Sequence, residues 1–361
     1  MVEQREIINS LSSLNGMYFS IPDLNNYAKK IKEHGKSIEY RMAKSRELLS
    51  YILYYDNYSD IFISMVWTAP EHRRKGIATN LLKQLIQSTR KDITLEVHKD
   101  NHAVKIYKDM GFEFAEQSGI TCKMCLRRRI AIMQPYVFPF IGYFQLIQAS
   151  DLFVFYDDVN YITRGWVNRN RILLNGKNFV FTIPVSKASR NKLINEISLA
   201  VDDSWRKKFN RTLIQSYRNA PFFSEVAPLI MSVFDDINGT ISDLAINSIA
   251  AVLNYLDVPF NYTKSSICSP ETKGIGRADR LIEIATDQGY KRYVNSPGGK
   301  ALYSKEYFEA KGIKLGFVES ESVQYKQYLN SFVQGLSIID VLMFNEKSIV
   351  KNFMQRYKVT R

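Results

Sequence analysis

Residues 68–82 read TAPEHRRKGIATNLL. An apolar run at residues 61–67 ends before Pro70, and apolar residues at helical spacing begin at Ile77, which predicts a strand, a loop and a helix. The loop is basic and contains Gly76. Backbone amides at a helix N-terminus lack intrahelical acceptors and lie at the positive end of the helix dipole, which favours a bound diphosphate. A solvated basic turn before a surface helix is the alternative.

A second motif follows the strand that is predicted at residues 93–97. Its members, partly on one helical stripe, are Asn101, Ala103, Tyr107, Gly111 and Phe112. Together with the R-x-x-G-x-A motif at 73–78, it resembles the two signatures of the GNAT superfamily of acetyl-CoA-dependent N-acetyltransferases. One position departs from the family pattern: Asn101 lies one residue closer to Ala103 than expected, and Asp100 occupies the expected place.

This resemblance implies an α+β acetyltransferase fold for residues 1–128 with acetyl-CoA as cofactor. It implies that the backbone of Thr68 bonds the pantetheine arm and that the loop holds the diphosphate. The implied cofactor-binding residues are Thr68, Arg73, Arg74, Lys75, Gly76, Ile77, Ala78, Thr79 and Asn101. Tyr107 is the implied general acid, and a core residue on a helix face is its alternative. The sequence identifies no general base, although Glu71 and His72 lie near the loop.

Length and composition set further limits. The chain has 361 residues, 45% of them apolar, and is longer than a single hydrophobic core usually supports. Two domains are therefore predicted, at residues 1–128 and 129–361. The net charge of +13 is scattered apart from Arg127–Arg129, which favours phosphorylated ligands over nucleic acid. Cys122 and Cys125 lack a second cysteine pair, which indicates packing, and no metal site is predicted. Without a signal core or a membrane-spanning run, we expect a cytoplasmic protein without membrane insertion.

Strands and helices alternate from residue 130 onward, which predicts a second α/β domain with a mostly parallel sheet. Asn175-Gly176 between two strand patterns predicts a hairpin within it. Ligands of such sheets bind beyond the carboxyl ends of the strands. The polar residues that are predicted to lie there are Gln134, Asp157, Asp158 and Asn295.

Several stretches of the second domain resemble the WbqC family, whose members are encoded with the machinery for bacterial surface polysaccharides. They are MQPY at 133–136 with Gly142-Tyr143, DDV at 157–159, R-x-W-x-NRN at 164–170, NSPGG at 295–299 with Tyr303, and SIID at 337–340. From these stretches we interpret as substrate-binding the residues Gln134, Tyr136, Arg164, Trp166, Asn168, Arg169, Asn170, Asn295, Gly298, Gly299 and Tyr303.

The residue chemistry leaves alternatives for most of these positions. The two glycines offer backbone amides to a phosphate or carboxylate, or form a simple tight turn. The arginines match the phosphates of a nucleotide, or face solvent. Asp157 and Asp158 act as a base toward an amine or hold a divalent cation, or else cap a buried strand. Ser337 and Asp340 are predicted to form a capping box that opens the last helix.

The WbqC resemblance implies that the second domain attaches an amino acid, with glycine favoured, to the amine of a dTDP- or UDP-linked amino sugar. The acetyltransferase then acetylates the product, which makes the chain a bifunctional enzyme of O-antigen biosynthesis. The activated amino acid comes either from adenylation with ATP and magnesium or from an aminoacyl-tRNA. No P-loop is visible, so an ATP site would be of another kind. Apart from charged tRNA, no nucleic acid is expected as a partner. The alternative is an RNA- or protein-directed N-acetyltransferase with the second domain as a binding or scaffold module.

Overall fold

The computed structural model describes residues 2–12, 21–58, 60–235, 239–328 and 331–360. The sequence also predicts a helix that starts at Ser20 and a polar hairpin connection at residues 56–60; Ser20 and Ser59 lie outside the described residues. The chain divides into two compact units, Met1–Arg128 and Arg129–Arg361. Within the described residues, no helix is long and apolar enough to cross a membrane.

The first unit is a six-stranded sheet with helices packed on it. Its strands are β1 (Lys36–Arg41), β2 (Leu48–Asp56), β3 (Asp60–Thr68), β4 (Asp92–His98), β5 (Glu113–Ser118) and β6 (Thr121–Leu126). Its helices are α1 (Gln4–Ser12), α2 (Leu24–His34), α3 (Ile77–Ser88) and α4 (Ala103–Asp109). The strand order is β1-β2-β3-β4-β6-β5, and the neighbours are antiparallel except β3 and β4, which run parallel.

The parallel pair β3 and β4 separates part-way along its length. The pairing joins residues 60–63 of β3 to residues 92–95 of β4, and beyond them the two strands continue without pairing to each other. On the other side of β3, the pairing with β2 skips Ser64, which forms a β-bulge. Because a bulge bends the strand and increases its twist, residues 65–68 present an open backbone edge to the space beside β4.

Each face of this sheet has its own hydrophobic core. One core packs the sheet on α3 and α4 through residues that include Leu81, Leu85 and Tyr107. The other packs it on α1 and α2 through residues that include Ile7, Ala28 and Ile31. The amphipathic pattern of α3, which begins directly after the basic loop, therefore fixes the loop at the edge of the sheet.

The second unit is an α/β domain. Its strands are β7 (Ile130–Met133), β8 (Leu152–Phe155), β9 (Arg169–Leu174), β10 (Lys177–Thr182), β11 (Tyr262–Lys264), β12 (Arg292–Asn295), β13 (Lys314–Ser320) and β14 (Tyr357–Thr360). Its helices are α5 (Ile141–Gln148), α6 (Asp203–Tyr217), α7 (Phe223–Ser232), α8 (Ile241–Tyr255), α9 (Ser265–Cys268), α10 (Arg277–Asp287), α11 (Lys305–Ala310), α12 (Ile338–Phe344) and α13 (Lys347–Met354). The main sheet has the order β11-β8-β7-β12-β13-β14, and only β14 is antiparallel to its neighbour. The predicted mostly parallel sheet is confirmed.

The hairpin β9–β10 forms a separate two-stranded sheet. Its turn residues Asn175 and Gly176 have φ values of 49° and 74°, as a primed turn requires, so the prediction of a hairpin here is confirmed. Asn170 fastens the hairpin to the rest of the unit, since its Nδ2 donates to the carbonyls of Val137 at 2.9 Å and Phe138 at 2.6 Å.

The capping box predicted at Ser337 and Asp340 is only half right. The Ser337 hydroxyl caps α12 by accepting from the Ile339 amide at 3.2 Å. The Asp340 carboxylate is fully buried and accepts instead from three donors, at 2.8, 2.6 and 2.7 Å: the Tyr217 hydroxyl, the Tyr325 hydroxyl and Gln327 Nε2. A buried carboxylate needs strong donors, and these side chains supply them. The helix it belongs to is also followed by α13, so it is not the last.

Candidate functional site

A cleft of about 570 Å³ lies beside the end of β3 that is not paired to β4, and its volume is within the usual range for a small-molecule site. It is bounded by the end of β3, the basic loop, the first turn of α3 and the start of α4. The predicted site residues that line it are Thr68, Arg73, Arg74, Gly76, Ile77, Ala78, Thr79, Asn101 and Tyr107. Lys75 belongs to the same loop and is exposed, but it does not line the cleft.

The loop before α3 combines backbone donors with positive charge. Arg74 and Gly76 have φ values of 61° and 76°, in the left-handed region. The first bond of the helix runs from the Asn80 amide to the Gly76 carbonyl, so the amides of residues 77–79 precede the helical ladder. The side chains of residues 73–75, all cationic, are exposed. An anion at this helix terminus therefore meets both amides and cations.

Two contacts fix the end of β3 beside this loop. Arg73 Nε donates to the Thr68 carbonyl at 3.1 Å. The hydroxyl of fully buried Ser50 donates to the Trp67 carbonyl at 2.7 Å and lies 2.9 Å from Thr68 Oγ1. Ser50 is not among the residues predicted from the sequence. The signal was a lone serine in the apolar run LLSYILYY at 48–55, because a buried hydroxyl in such a strand is normally hydrogen-bonded to its surroundings.

Tyr107 is both a core residue and a residue of the cleft. It is 7% exposed, and its ring centroid lies 5.7 Å from that of Phe112. Burial raises the pKa of Tyr107 to about 12, so the hydroxyl holds its proton at neutral pH, as a proton donor must. Asn101 lines the cleft as well, and its Oδ1 accepts from the Ala103 amide at 2.9 Å, a bond that does not use its carboxamide nitrogen.

In the second unit, Asp157 follows β8 and is 1% exposed. Its carboxylate accepts from three donors, at 3.1, 2.7 and 3.3 Å: the Ser266 amide, the Ser266 hydroxyl and Asn195 Nδ2. The Ser265 oxygen lies 3.2 Å from it, but the one proton of that hydroxyl goes to the closer carboxylate of Asp158. Three donors and near-complete burial leave little of this carboxylate open to a substrate. The contacts therefore fit the alternative of a polar cap on a buried strand better than a general base, and the catalytic role stays a prediction.

Asp158 forms a buried ion pair with Arg280 of α10. Arg280 Nη2 donates to Asp158 Oδ2 at 2.6 Å, and the two side chains are 4% and 5% exposed. The Ser265 hydroxyl also donates to Asp158, Arg280 Nε donates to Thr272 Oγ1 at 3.1 Å, and the Arg280 guanidinium carbon lies 4.9 Å from the Tyr156 ring centroid. Arg280 is not among the residues predicted from the sequence, although a charge on the apolar face of a helix was its signal.

The glycine-rich segment after β12 is folded on itself. Asn295 is 6% exposed and its Oδ1 accepts from the Ser296 amide at 2.8 Å. Residues Pro297–Ala301 form a 3₁₀ helix, in which the Gly299 amide donates to the Ser296 carbonyl at 3.0 Å. A Cβ on Gly299 would lie 2.5 Å from Asn295 Nδ2. Gly299 thus allows close packing of the chain, which fits the tight-turn alternative. The Gly298 amide does not take part in the bond to the Ser296 carbonyl.

The aromatic members of the predicted site lie partly in the core. Tyr136 and Tyr143 have ring centroids 5.6 Å apart, and the Tyr143 hydroxyl donates to the Gln134 carbonyl at 2.9 Å. Burial raises the pKa of Tyr136 and of half-buried Tyr303, whose ring centroid lies 5.9 Å from that of Phe308. All three of the predicted residues here, Gln134, Tyr136 and Tyr303, keep partial exposure.

The segment before and within β9 divides into buried and exposed residues. Asn168, like Asn170, is buried: its Oδ1 accepts from the Tyr161 hydroxyl at 2.7 Å and its Nδ2 donates to the Ile183 carbonyl at 2.8 Å. Arg164 has a φ of 62° and is exposed, and Trp166 is 41% exposed. The two asparagines therefore position the hairpin, and the residues available to a ligand are the arginines and the tryptophan.

Residues 134–352, more than half of the chain, match the model of the WbqC-like protein family. The chain belongs to this family. Residues 20–122 match the acetyltransferase (GNAT) domain, so an N-terminal GNAT domain precedes the WbqC-like domain. Both resemblances seen in the sequence are confirmed.

Individual proteins are similar to parts of the chain. Rv1507c of Mycobacterium tuberculosis, an uncharacterized protein, is 28% identical over 221 residues, which are 60% of this chain and 94% of that protein. The PaiA N-acetyltransferase of Thermoplasma acidophilum in complex with coenzyme A is 18% identical with a TM-score of 0.25, over 28% of this chain and 67% of that one. The ribosomal-protein-S18-alanine N-acetyltransferase of Escherichia coli is 16% identical with a TM-score of 0.28, over 34% and 87%.

The part that matches the WbqC-like family begins at Gln134 and contains every predicted substrate-binding residue of the second unit as well as the pair Asp158–Arg280. The part that matches the GNAT domain contains the whole lining of the cleft. In the described part of the chain, no group of three or more His, Cys, Asp and Glu side chains is arranged to hold a metal ion.

Proposed function

We propose that the GNAT domain is an acetyl-CoA-dependent N-acetyltransferase and that its cleft binds acetyl-CoA. The observation that carries this proposal is the open backbone edge of β3 at residues 65–68, directly beside the amides at the start of α3. The edge suits the amide groups of the pantetheine arm. The exposed cations and first-turn amides suit the diphosphate, and Gly76 leaves room for it, since no atom lies within 4 Å of a Cβ built there.

The chemistry needs few groups of the protein. The acceptor amine forms a C–N bond with the thioester carbonyl carbon, the C–S bond breaks, and the amine releases a proton to solvent. Tyr107 gives its proton to the departing sulfur and regains one from water. The raised pKa of Tyr107 keeps this hydroxyl protonated and available at neutral pH.

For the WbqC-like domain we propose attachment of an amino acid, with glycine favoured, to the amine of a dTDP- or UDP-linked amino sugar. The GNAT domain then acetylates the new α-amine, and the product serves a bacterial surface polysaccharide such as an O-antigen. The presence of both domains on one chain supports consecutive steps. The amino acid is activated either by adenylation with ATP and magnesium, which releases pyrophosphate, or as an aminoacyl-tRNA.

The test follows the mass of the sugar product. The full chain is incubated with a dTDP-amino sugar, glycine, ATP and acetyl-CoA, with and without charged tRNA. We expect an aminoacyl increment and then an acetyl increment on the sugar. Asp157→Asn should remove the aminoacyl increment if the predicted catalytic role holds. Acetylation of added protein or RNA, with none on the sugar, would overturn the two-step proposal in favour of the alternative.

A matched pair of glycines isolates the acetyl step. Gly76 and Gly119 both have positive φ values, 76° and 59°, and neither has an atom within 4 Å of a Cβ built on it. Valine at either position is strained to a similar degree, but only Gly76 lines the cleft. Gly76→Val should abolish the acetyl increment and keep the aminoacyl one, whereas Gly119→Val should keep both. Equal acetylation by the two variants would contradict the assignment of the cleft.

A further inference from the structure

The segment 159–195 of the WbqC-like domain contains four arginines and three lysines but no aspartate or glutamate. Its charge of +7 is more than half of the net +13 of the chain, on about a tenth of its length. Positive charge at this density without local carboxylates attracts anions and is not neutralised within the segment. The hairpin β9–β10 lies inside it.

The fold gathers part of this charge around one exposed indole. The guanidinium carbons of Arg169 and Arg171 lie 5.9 and 5.1 Å from the ring centroid of Trp166. Arg190 Nε donates to Thr163 Oγ1, three residues before the indole in sequence, at 3.1 Å. An exposed aromatic ring next to arginines is the combination that proteins use to stack a base and hold its phosphates.

The two arginines on the indole differ in what they bind. Arg169 is engaged by the turn, since its Nη2 and Nε donate to the carbonyls of Arg164 at 2.5 Å and Gly165 at 3.3 Å. Arg171 Nε is buried and, among the described residues, has no hydrogen-bond partner. No hydrogen bond within the described residues uses the Arg171 side chain, and the residue is partly exposed, so the open edge of its guanidinium is left to pair with a phosphate or carboxylate. Of the two arginines, Arg171 is therefore the one whose guanidinium is available to bind an anion.

We propose that Trp166 and Arg171 bind a nucleoside 5′-diphosphate, with the base stacked on the indole and the diphosphate on the guanidinium of Arg171. This assignment rests on the proposed function, in which the substrate of the WbqC-like domain carries such a group. A compact ligand fits better than an RNA strand, because one stacking ring and one guanidinium with an unmatched donor form a site for a single nucleotide, whereas strand binding uses successive aromatic rings along a groove.

The test is calorimetric titration of the full chain with UDP, dTDP, uridine and inorganic pyrophosphate. We expect Arg171→Gln to weaken UDP and pyrophosphate binding by about 10- to 100-fold, since a charge-assisted hydrogen bond is lost. Arg171→Lys, which keeps the charge without the planar fork, should fall between. Trp166→Leu should weaken UDP by about 10-fold and leave pyrophosphate unchanged. Arg211→Gln, an exposed arginine of α6, is the matched control and should bind as wild type.

Unchanged UDP binding by Arg171→Gln, or no UDP binding by the wild type, would overturn the inference. The inference would also be overturned if the protein bound unfractionated tRNA tightly, with an affinity that falls steeply with salt, and did not bind UDP. The inference and the proposed function fail separately. Arg171-dependent UDP binding without amino acid transfer would support the site and refute the reaction. Amino acid transfer by Arg171→Gln with an unchanged KM for the nucleotide sugar would support the reaction and refute the site.

Discussion

Replacement of Arg280 by methionine is expected to destabilise the WbqC-like domain by about 3 kcal/mol, at the lower end of the 3–5 kcal/mol that is typical when one partner of a buried ion pair is removed. The structure sets this value. Both side chains are almost fully buried, so the Asp158 charge stays in a low-dielectric environment. The Ser265 hydroxyl continues to donate to Asp158 and limits the loss. Methionine fills much of the volume that the arginine leaves.

The assay is urea unfolding followed by tryptophan fluorescence in a Trp67→Phe background, so that the signal comes from Trp166 and Trp205 of the WbqC-like domain. Lys358→Met is the control. It removes a partner of Glu321 from a pair whose side chains are 78% and 47% exposed, and it should cost at most about 1 kcal/mol. The double variant Asp158→Leu with Arg280→Met should recover most of the loss, because no charge is left buried.

A loss below about 1 kcal/mol for Arg280→Met, or a double variant as unstable as the sum of the single ones, would refute this reasoning. A loss of about 3 kcal/mol would show that Asp158 stabilises the fold through its ion pair with Arg280. Its predicted catalytic role would then need a separate demonstration, such as a variant that keeps stability and loses amino acid transfer.

Three further outcomes are expected. Tyr107→Phe should lower kcat for acetyl transfer by about 10²- to 10⁴-fold with little change in coenzyme A affinity. Because burial raises the pKa of Tyr107 to about 12, deprotonation of this tyrosine should not lower the rate of the wild type up to about pH 10. Ser50→Ala should weaken acetyl-CoA binding and lower the stability of the first unit by about 1–3 kcal/mol, as calorimetry and urea unfolding can show, because the Trp67 carbonyl loses its donor. Burial raises the pKa of Asp340, so the folded state keeps this proton to a higher pH than the unfolded chain does. The stability of the wild type relative to Asp340→Asn should therefore fall as the pH rises through the raised pKa. Denaturation midpoints at a series of pH values above about 4 measure this trend.

The sequence predicts best what short-range patterns determine. The strand, basic loop and helix at residues 61–82 follow from apolar spacing and one glycine, and the β9–β10 turn follows from Asn175-Gly176. The parallel sheet follows from the alternation of strands and helices. Within each of these strands, turns and helices the residues that determine the structure lie within a few positions of one another, so the local pattern contains the information.

Contacts between distant residues could not be predicted in this way. Arg280 lies 122 positions from Asp158, and Tyr217 lies 123 positions from Asp340. Nothing near Asp158 indicates that its partner is on α10, and a carboxylate that looks free in the sequence is paired in the fold. The charge of the segment 159–195 is a different case. It is visible in the sequence, but a search for consecutive lysines and arginines overlooks it, because what marks this segment is the absence of acids.

The antiparallel strand β14 has a consequence for biosynthesis. The central strand β7 of the second sheet is made early, but the edge of β13 acquires its partner only when residues 357–360 have left the ribosome. Until then the nascent chain displays a row of unpaired amides and carbonyls along β13, which invites pairing with other chains. Ribosomes that stall shortly before this point should therefore yield an aggregation-prone polypeptide, even though nearly all of the hydrophobic core has already been synthesised.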